Sequence, residues 1–411
     1  MLRKTLIVSA DPHQAMVARS PQQMSRSIVH IGPSNLVMPA RRGGAIERRM
    51  IELAQAQARL TGGRIVVYSI GEKTCESSFE GVEIRYIHVG RSQLGRRFTF
   101  PWIVAEDVKR YRPSVIHLHG RAELMWLLRQ QGIDAPIVLS CDNHLEPLAR
   151  FSLIAPLTRS VWSRFLEADG TLCPVSEYCR EIWKRYWRIP AARLQVIPNG
   201  VDLGHFSPRP AERDLWRERL GVGGKIVALY VGRICEQKGS DLLIAAYRRV
   251  KQRRADIALV AVGPARQFGN LGGDRLIDAL RAAGGIYLPP VTDEELPGVY
   301  NAADVLVMPT RELEMFGMAA VEAQACGVPV LASDHGGLRE TVPDTAGLRF
   351  RNGDVADLER QLERMVADPE LRVALSGGAL PSAARYGWTE VVEQCERLYS
   401  RLGGVAASEG I

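Results

Sequence analysis

Apolar residues in this chain follow two rhythms. Short, nearly unbroken β-branched and aliphatic runs occur at Ser27–Ile31, Arg64–Tyr68, Val115–Leu118 and Pro136–Ser140, and again at Lys225–Val231, Ile257–Val262, Val305–Met308 and Pro329–Ala332. Runs of this kind predict strands buried on both faces, as in a parallel sheet. Between them lie longer stretches with helical spacing: Ala45–Arg59, Ser240–Arg253, Ala319–Ala325, Val355–Ala367 and, near the end, Trp388–Leu402. The alternation predicts an α/β fold with doubly wound sheets. It restarts after the turn signal Pro198-Asn199-Gly200, so two tandem α/β units facing across a cleft are expected. Asp11–Gln23 has no clear period, and residues 1–24 are expected to be a flexible extension, with Met24 as an alternative start.

Composition narrows the class. The 411 residues are 46% hydrophobic and 24% charged, which excludes disordered, collagenous and disulfide-scaffold chains and suits two domains. No apolar run approaches the ~20 residues of a membrane span. Thr5–Ala10 is too short an apolar core for a signal peptide. Seven scattered cysteines point to a reducing cytoplasm, and Cys173 and Cys179 lack the further ligands a zinc site needs. Charge is uneven. Residues 1–200 hold 28 Lys+Arg against 17 Asp+Glu, a net of +11; the remainder hold 25 against 29, a net of −4, which together give the chain's +7. A basic first half suits an anionic partner. No nucleic-acid motif is present, so nucleic acid is not expected. Arg96-Arg97-Phe98-Thr99-Phe100-Pro101-Trp102 and Trp183-Lys184-Arg185-Tyr186-Trp187-Arg188 interleave bases with rings. Both are open to headgroup contact at an anionic membrane surface. Trp183 and Trp187, one helical turn apart, are equally open to core packing.

The second half carries the stronger chemistry. The strand ending at Val231 leads through Gly232-Arg233-Ile234-Cys235-Glu236-Gln237-Lys238-Gly239-Ser240 into a helix, which places Arg233 and Lys238 at a sheet edge where α/β proteins bind ligands. Two cations there suit a diphosphate, or simply face water. Ser240 is the expected N-cap. After Val305–Met308, Phe316-Gly317-Met318 opens a second helix whose N–H groups favour phosphate. Glu314 precedes this helix and Glu322 lies within it, at a spacing that lets two carboxylates flank one elongated ligand. Glu322 sits among apolar neighbours and there needs a partner.

These motifs, with Glu314-x7-Glu322 and Gly327-Val328-Pro329-Val330, resemble the retaining glycosyltransferases of family 4, which have the GT-B fold of two Rossmann-like domains. Val175-Ser176-Glu177-Tyr178, Ile197–Asp202, Leu288–Leu296 and Tyr300–Asp304 match as well, and the resemblance runs from about Ser27 to Leu402. Gly43-Gly44-Ala45-Ile46-Glu47 and His117-Leu118-His119-Gly120-Arg121 are closest in pattern to the spore-coat and lipopolysaccharide-core type. The resemblance implies an acceptor-binding domain at 25–200, joined by a returning helix at 388–402, a donor-binding domain at 201–387, and a tail at 403–411. It implies catalytic roles for Arg233 and Lys238 on the donor diphosphate, Glu314 on the transferred sugar and His119 across the cleft. Donor binding then falls to Gly43, Gly44, Phe316, Gly317, Met318 and Glu322. His117 is expected to point into the fold, away from the direction of His119.

A nucleotide-diphosphate sugar is thus the expected donor, UDP-linked first and GDP-mannose second. The expected acceptor is a glycan, a lipid-linked saccharide or a small molecule. Arg41-Arg42 and Arg48-Arg49 are open to an acceptor phosphate. No Asp-x-Asp triplet occurs, so no metal is expected to be required. The dinucleotide and P-loop glycine motifs are absent. A non-catalytic glycan-binding coat protein and a sugar-nucleotide epimerase remain as alternatives. The expected location is cytoplasmic, with contact to the inner face of the membrane.

Overall fold

Strand pairing sorts the chain into two sheets. The computed structural model describes residues 26–33, 37–38, 45–90, 99–141, 163–265, 272–312 and 314–406. The expected extension at 1–24, the pair Gly43-Gly44, and Arg41, Arg42 and Arg96–Phe98 lie outside these residues. The first sheet contains β1 Ser27–Ile31, β2 Arg64–Ile70, β3 Cys75–Phe79, β4 Val82–Ile87, β5 Val115–His119, β6 Ile137–Cys141 and β7 Thr171–Pro174, in the order β3-β4-β2-β1-β5-β6-β7. All its pairings are parallel except β3 with β4. The second contains β8 Ile226–Val231, β9 Ile257–Val262, β10 Ile286–Leu288, β11 Val305–Met308, β12 Val330–Ser333 and β13 Gly347–Phe350, in the order β10-β9-β8-β11-β12-β13, entirely parallel.

This is the expected α/β architecture of two doubly wound units. Strand order reverses beside the first strand of each sheet, between β1 and β5 in one and between β8 and β11 in the other. Loops leaving adjacent strands part in opposite directions there and open a crevice at the carboxyl edge. Each candidate site residue described below sits at one of these two reversals.

The chain crosses between the units twice, and the crossings are pinned together. Val201 donates its N–H to the Tyr386 carbonyl at 2.8 Å and forms an isolated parallel bridge with Gly387. Trp388 then starts the last helix, Trp388–Ala406, which packs on the helix Ala45–Thr61. Val391, Val392, Cys395, Leu398 and Tyr399 are buried there beside Ile28, Leu53 and Val67. This helix runs on to Ala406, where a tail was expected from 403. Trp183 and Trp187 are buried in the core of the first unit, so the headgroup reading of that segment gives way to packing. Trp102 remains half exposed, at 53%. Among the described residues no helix is long and apolar enough to cross a membrane.

Gly200 lets the two crossings close. A Cβ there would lie 2.2 Å from the Trp388 indole. Gly200→Ala is expected to destabilise the protein by about 1–3 kcal/mol, the usual scale of an overpacked contact, without loss of secondary structure. Denaturant unfolding checks this; an unchanged midpoint would show that Trp388 moves aside freely.

Candidate functional site

The second sheet presents its charges at the β8/β11 reversal. After β8 the chain turns at Gly232, and a short 3-10 turn, Glu236–Lys238, precedes the helix Ser240–Arg253. Gly239, at φ 70°, is the N-cap of that helix. A Cβ on Gly239 would fall 1.9 Å from the Pro309 carbonyl oxygen, so only glycine lets this loop press against the end of β11. Ser240 therefore does not cap the helix as expected; its hydroxyl accepts from the Cys235 N–H at 3.2 Å and closes the loop instead. Arg311 forks onto Asp241, at 2.7 and 2.5 Å, and ties the loop after β11 to the same helix.

This bracing brings two of the expected residues into contact. Lys238 Nζ donates to Glu314 Oε2 at 2.6 Å, with the Thr310 hydroxyl 3.4 Å from the same oxygen. Arg233 is half-buried, and among the described residues its guanidinium has no ion-pair partner. The Tyr230 hydroxyl donates to the Arg233 carbonyl at 2.6 Å and steadies the turn.

Phe316, Gly317 and Met318 lead into the helix Met318–Ala325, which Gly317 caps at φ 99°. The Phe316 ring is buried edge-on against Tyr386, 5.2 Å between centroids, so only its backbone is on offer to a ligand. The first N–H groups of this helix have no acceptor within it, as at any helix start. Four residues into the same helix, Glu322 is only 7% exposed. Its partners come from both units. The Tyr300 hydroxyl donates to Oε2 at 2.7 Å, and Arg48 reaches Oε1 at 3.5 Å from the helix Ala45–Thr61.

Arg48 also binds Glu52 at 2.9 Å and Asp293 at 3.1 Å. Burial opposes its charge, but Glu322, Glu52 and Asp293 together hold it protonated. Sequence reasoning left Arg48 open to an acceptor phosphate; the structure gives it three carboxylates, two from the other unit. The signal was available in the i,i+4 pair of Arg48 and Glu52, which marks the arginine as a charge on an organised face. The units meet again where the Ser176 hydroxyl donates to the Met315 carbonyl at 2.6 Å, and where Glu340 accepts from the N–H groups of Glu177 and Tyr178 at 2.9 and 2.8 Å.

At the β1/β5 reversal of the first sheet lies a stack of imidazoles. His117 and His119 were expected to point in different directions. Residues two apart on a strand share a face, and the rings stack 4.4 Å apart, with His30 of β1 5.3 Å from each. All three are fully buried. His119, expected to face the cleft, thus lies under cover at the end of β5. Burial lowers His30 to about 4 and holds His117 and His119 well below the usual imidazole range, the neighbouring rings adding to the effect. The rings are therefore neutral. The three offer nitrogens within 4.8 Å of one another, as a metal site would. Five of the six nitrogens, however, already have hydrogen-bond partners, and the rings of His117 and His119 are stacked. The trio fits a hydrogen-bonded network better than a coordination sphere.

Comparison with known proteins identifies the family and the fold. The family model "Glycosyltransferase Family 4" matches residues 43–205, and "Glycosyl transferases group 1" matches residues 212–379. A D-inositol 3-phosphate glycosyltransferase of Geodermatophilus obscurus is 37% identical over 349 residues, 78% of this chain and 76% of that one. Its counterpart in Kineococcus radiotolerans is 35% identical, across 95% of this chain and 98% of the relative. Among solved structures, sucrose-phosphate synthase from Thermosynechococcus elongatus superposes with a TM-score of 0.76 at 22% identity, covering 92% of this chain and 100% of that one. Anabaena HepE in complex with UDP and glucose does so with 0.73 at 18% identity, covering 91% and 99%. The chain is a glycosyltransferase and belongs to family 4, with the GT-B fold.

Proposed function

We propose that this protein is a retaining transferase that moves a hexose or N-acetylhexosamine from a nucleotide-diphosphate sugar to an acceptor hydroxyl, with no required metal. The observation that carries the reading is the clustering of Arg233, Lys238 and Glu314 at one strand-order reversal, with Glu322 bound to Arg48 from the opposite unit. Departure of a nucleoside diphosphate concentrates negative charge on its phosphates. Arg233, Lys238 and the helix start at Met318 are the groups suited to stabilise it. Glu314 suits the hydroxyls of the transferred sugar and Glu322 those of the ribose, since ionised carboxylates accept paired O–H donors. Gly43 and Gly44 join the donor-binding set on this reading. Retention then requires attack on the face the diphosphate leaves, with a phosphate oxygen taking the acceptor proton.

For the donor we favour a UDP-sugar over GDP-mannose; HepE is described in complex with UDP and glucose. For the acceptor we favour an anionic polyol. The relatives are named for D-inositol 3-phosphate, and the net charge of +11 over residues 1–200 suits such a substrate. A glycan or lipid-linked saccharide is the next choice. We place the reaction in the cytoplasm, with weak contact to an anionic membrane face through the basic half and the exposed Trp102 and Ile103. No co-sedimentation with anionic vesicles at low salt would remove that contact.

Thermal shift against UDP-, GDP-, dTDP- and ADP-sugars tests the donor. At one hundred times Kd the matching donor stabilises by about 2.7 kcal/mol, and equal silence from all four would defeat the reading. Arg233→Ala is expected to lower kcat/KM by about 10²-fold, as for loss of one preorganised charge contact. Glu322→Gln should chiefly raise the donor Kd, and Glu314→Gln should chiefly lower kcat. Identical effects of the two on KM alone would contradict the division of labour.

A further inference from the structure

One buried amide connects the last helix to the histidine stack. Gln57 is fully buried on the helix Ala45–Thr61. Its Oε1 lies 2.7 Å from His30 Nε2, and its Nε2 lies 3.3 Å from the Tyr399 hydroxyl. The amide thus turns its nitrogen toward the last helix and its oxygen toward His30. The 2.7 Å separation agrees, being ordinary for N–H···O.

The proton positions follow by elimination. His30 must carry its proton on Nε2 to donate to the Gln57 oxygen. A neutral imidazole has one N–H, so His30 Nδ1 accepts. Its neighbour, at 3.0 Å, is His119 Nε2, which must therefore donate. His119 is neutral as well, which leaves its Nδ1 without a proton. That atom is buried and has no partner among the described residues. On the other limb, Tyr399 receives from Gln57 and donates to His117 Nδ1 at 2.6 Å, and His117 Nε2 donates to the Ser140 hydroxyl at 2.7 Å.

We propose that Gln57 is a positioning residue that acts through His30 to keep His119 in the Nε2–H tautomer, so that its bare Nδ1 accepts a hydrogen bond from a substrate hydroxyl. A buried acceptor left unmatched is costly, and a hydroxyl that reaches Nδ1 removes that cost. The inference rests on the proposed role of His119 toward the sugar, and because His119 is buried the hydroxyl must reach Nδ1 under the cover at the end of β5. It specifies that the sugar or acceptor presents an O–H to this atom, and that the last helix, through Tyr399, helps set which proton His119 holds.

Nitrogen NMR of the full chain with ¹⁵N-labelled histidine tests the tautomer without any substrate, with resonances assigned by single substitutions. His30, His117 and His119 are each expected as Nε2–H; an Nδ1–H or cationic His119 overturns the proposal. Gln57→Met is expected to introduce an Nδ1–H population at His119, and an unchanged spectrum overturns the role of Gln57. In turnover, His30→Leu should lower kcat by about tenfold or more, as for loss of a group that orients a histidine. His30→Asn, which keeps an acceptor oxygen near the place of Nδ1, should stay within about threefold of wild type, with donor KM unchanged in both. Equal losses in the two correctly folded variants overturn it. If no nucleotide sugar is turned over at all, the functional reading fails, and the spectra still decide the tautomer.

Discussion

A carboxylate on an apolar helix governs how the two halves of this molecule meet. Glu322 is surrounded in sequence by Met318–Val321 and Ala323–Cys326, and the helix buries it to 7% exposure. An ionised group in such a place persists only with strong partners. Tyr300 provides one from the same unit, held there by the short helix Leu296–Asn301. Arg48 provides the other from the opposite unit. Because Arg48 also needs Glu52 and Asp293, the charge balance at Glu322 extends across the cleft and involves both units. The relative placement of the sheets is thereby coupled to the pairing of a residue that the functional reading assigns to the sugar donor.

The sequence was most legible where a pattern has a single physical reading. Ile257–Val262 and Val305–Met308 are continuous apolar runs, and they form strands with those bounds. Ser240–Arg253 and Val355–Ala367 have clear helical spacing, and both helices have those limits. β3 was not legible: Cys75-Glu76-Ser77-Ser78-Phe79 is an edge strand with four exposed residues, so burial writes no alternation into it. The turn Glu80-Gly81, with both residues at positive φ, was the available hint of a hairpin. β10, Ile286–Leu288, is three residues long and too short for any period to emerge.

The candidate site divides in the same way. Lys238 and Glu314 are 76 positions apart, and no local rule pairs them. What the sequence showed was that each follows a strand of one parallel sheet. Parallel strands end at a common edge, so residues that follow adjacent strands become neighbours whatever their separation in sequence. The histidines needed more. Their stack depends on β1 lying beside β5, with His30 in register with His117, a pairing fixed by topology rather than by either segment. Periodicity alone would have corrected the orientation of His119, since positions 117 and 119 of one strand necessarily share a face.

Two of the site's carboxylates are paired with cations of the protein. Lys238 is satisfied by Glu314, and Glu322 by Arg48 and Tyr300. On the proposed function this is an exchange of partners. A diphosphate that reaches Lys238 replaces Glu314 as its counterion, and the freed carboxylate becomes an acceptor for sugar hydroxyls. With the full nucleotide sugar in place neither charge is left buried and alone, so the cost of breaking the pair is offset at both ends. The consequence is selective. A nucleoside diphosphate without its sugar releases Glu314 and offers it nothing, whereas the full nucleotide sugar satisfies both ends of the broken pair. Discrimination between donor and product can therefore arise from the Lys238–Glu314 contact itself, because only one of the two ligands compensates for breaking it.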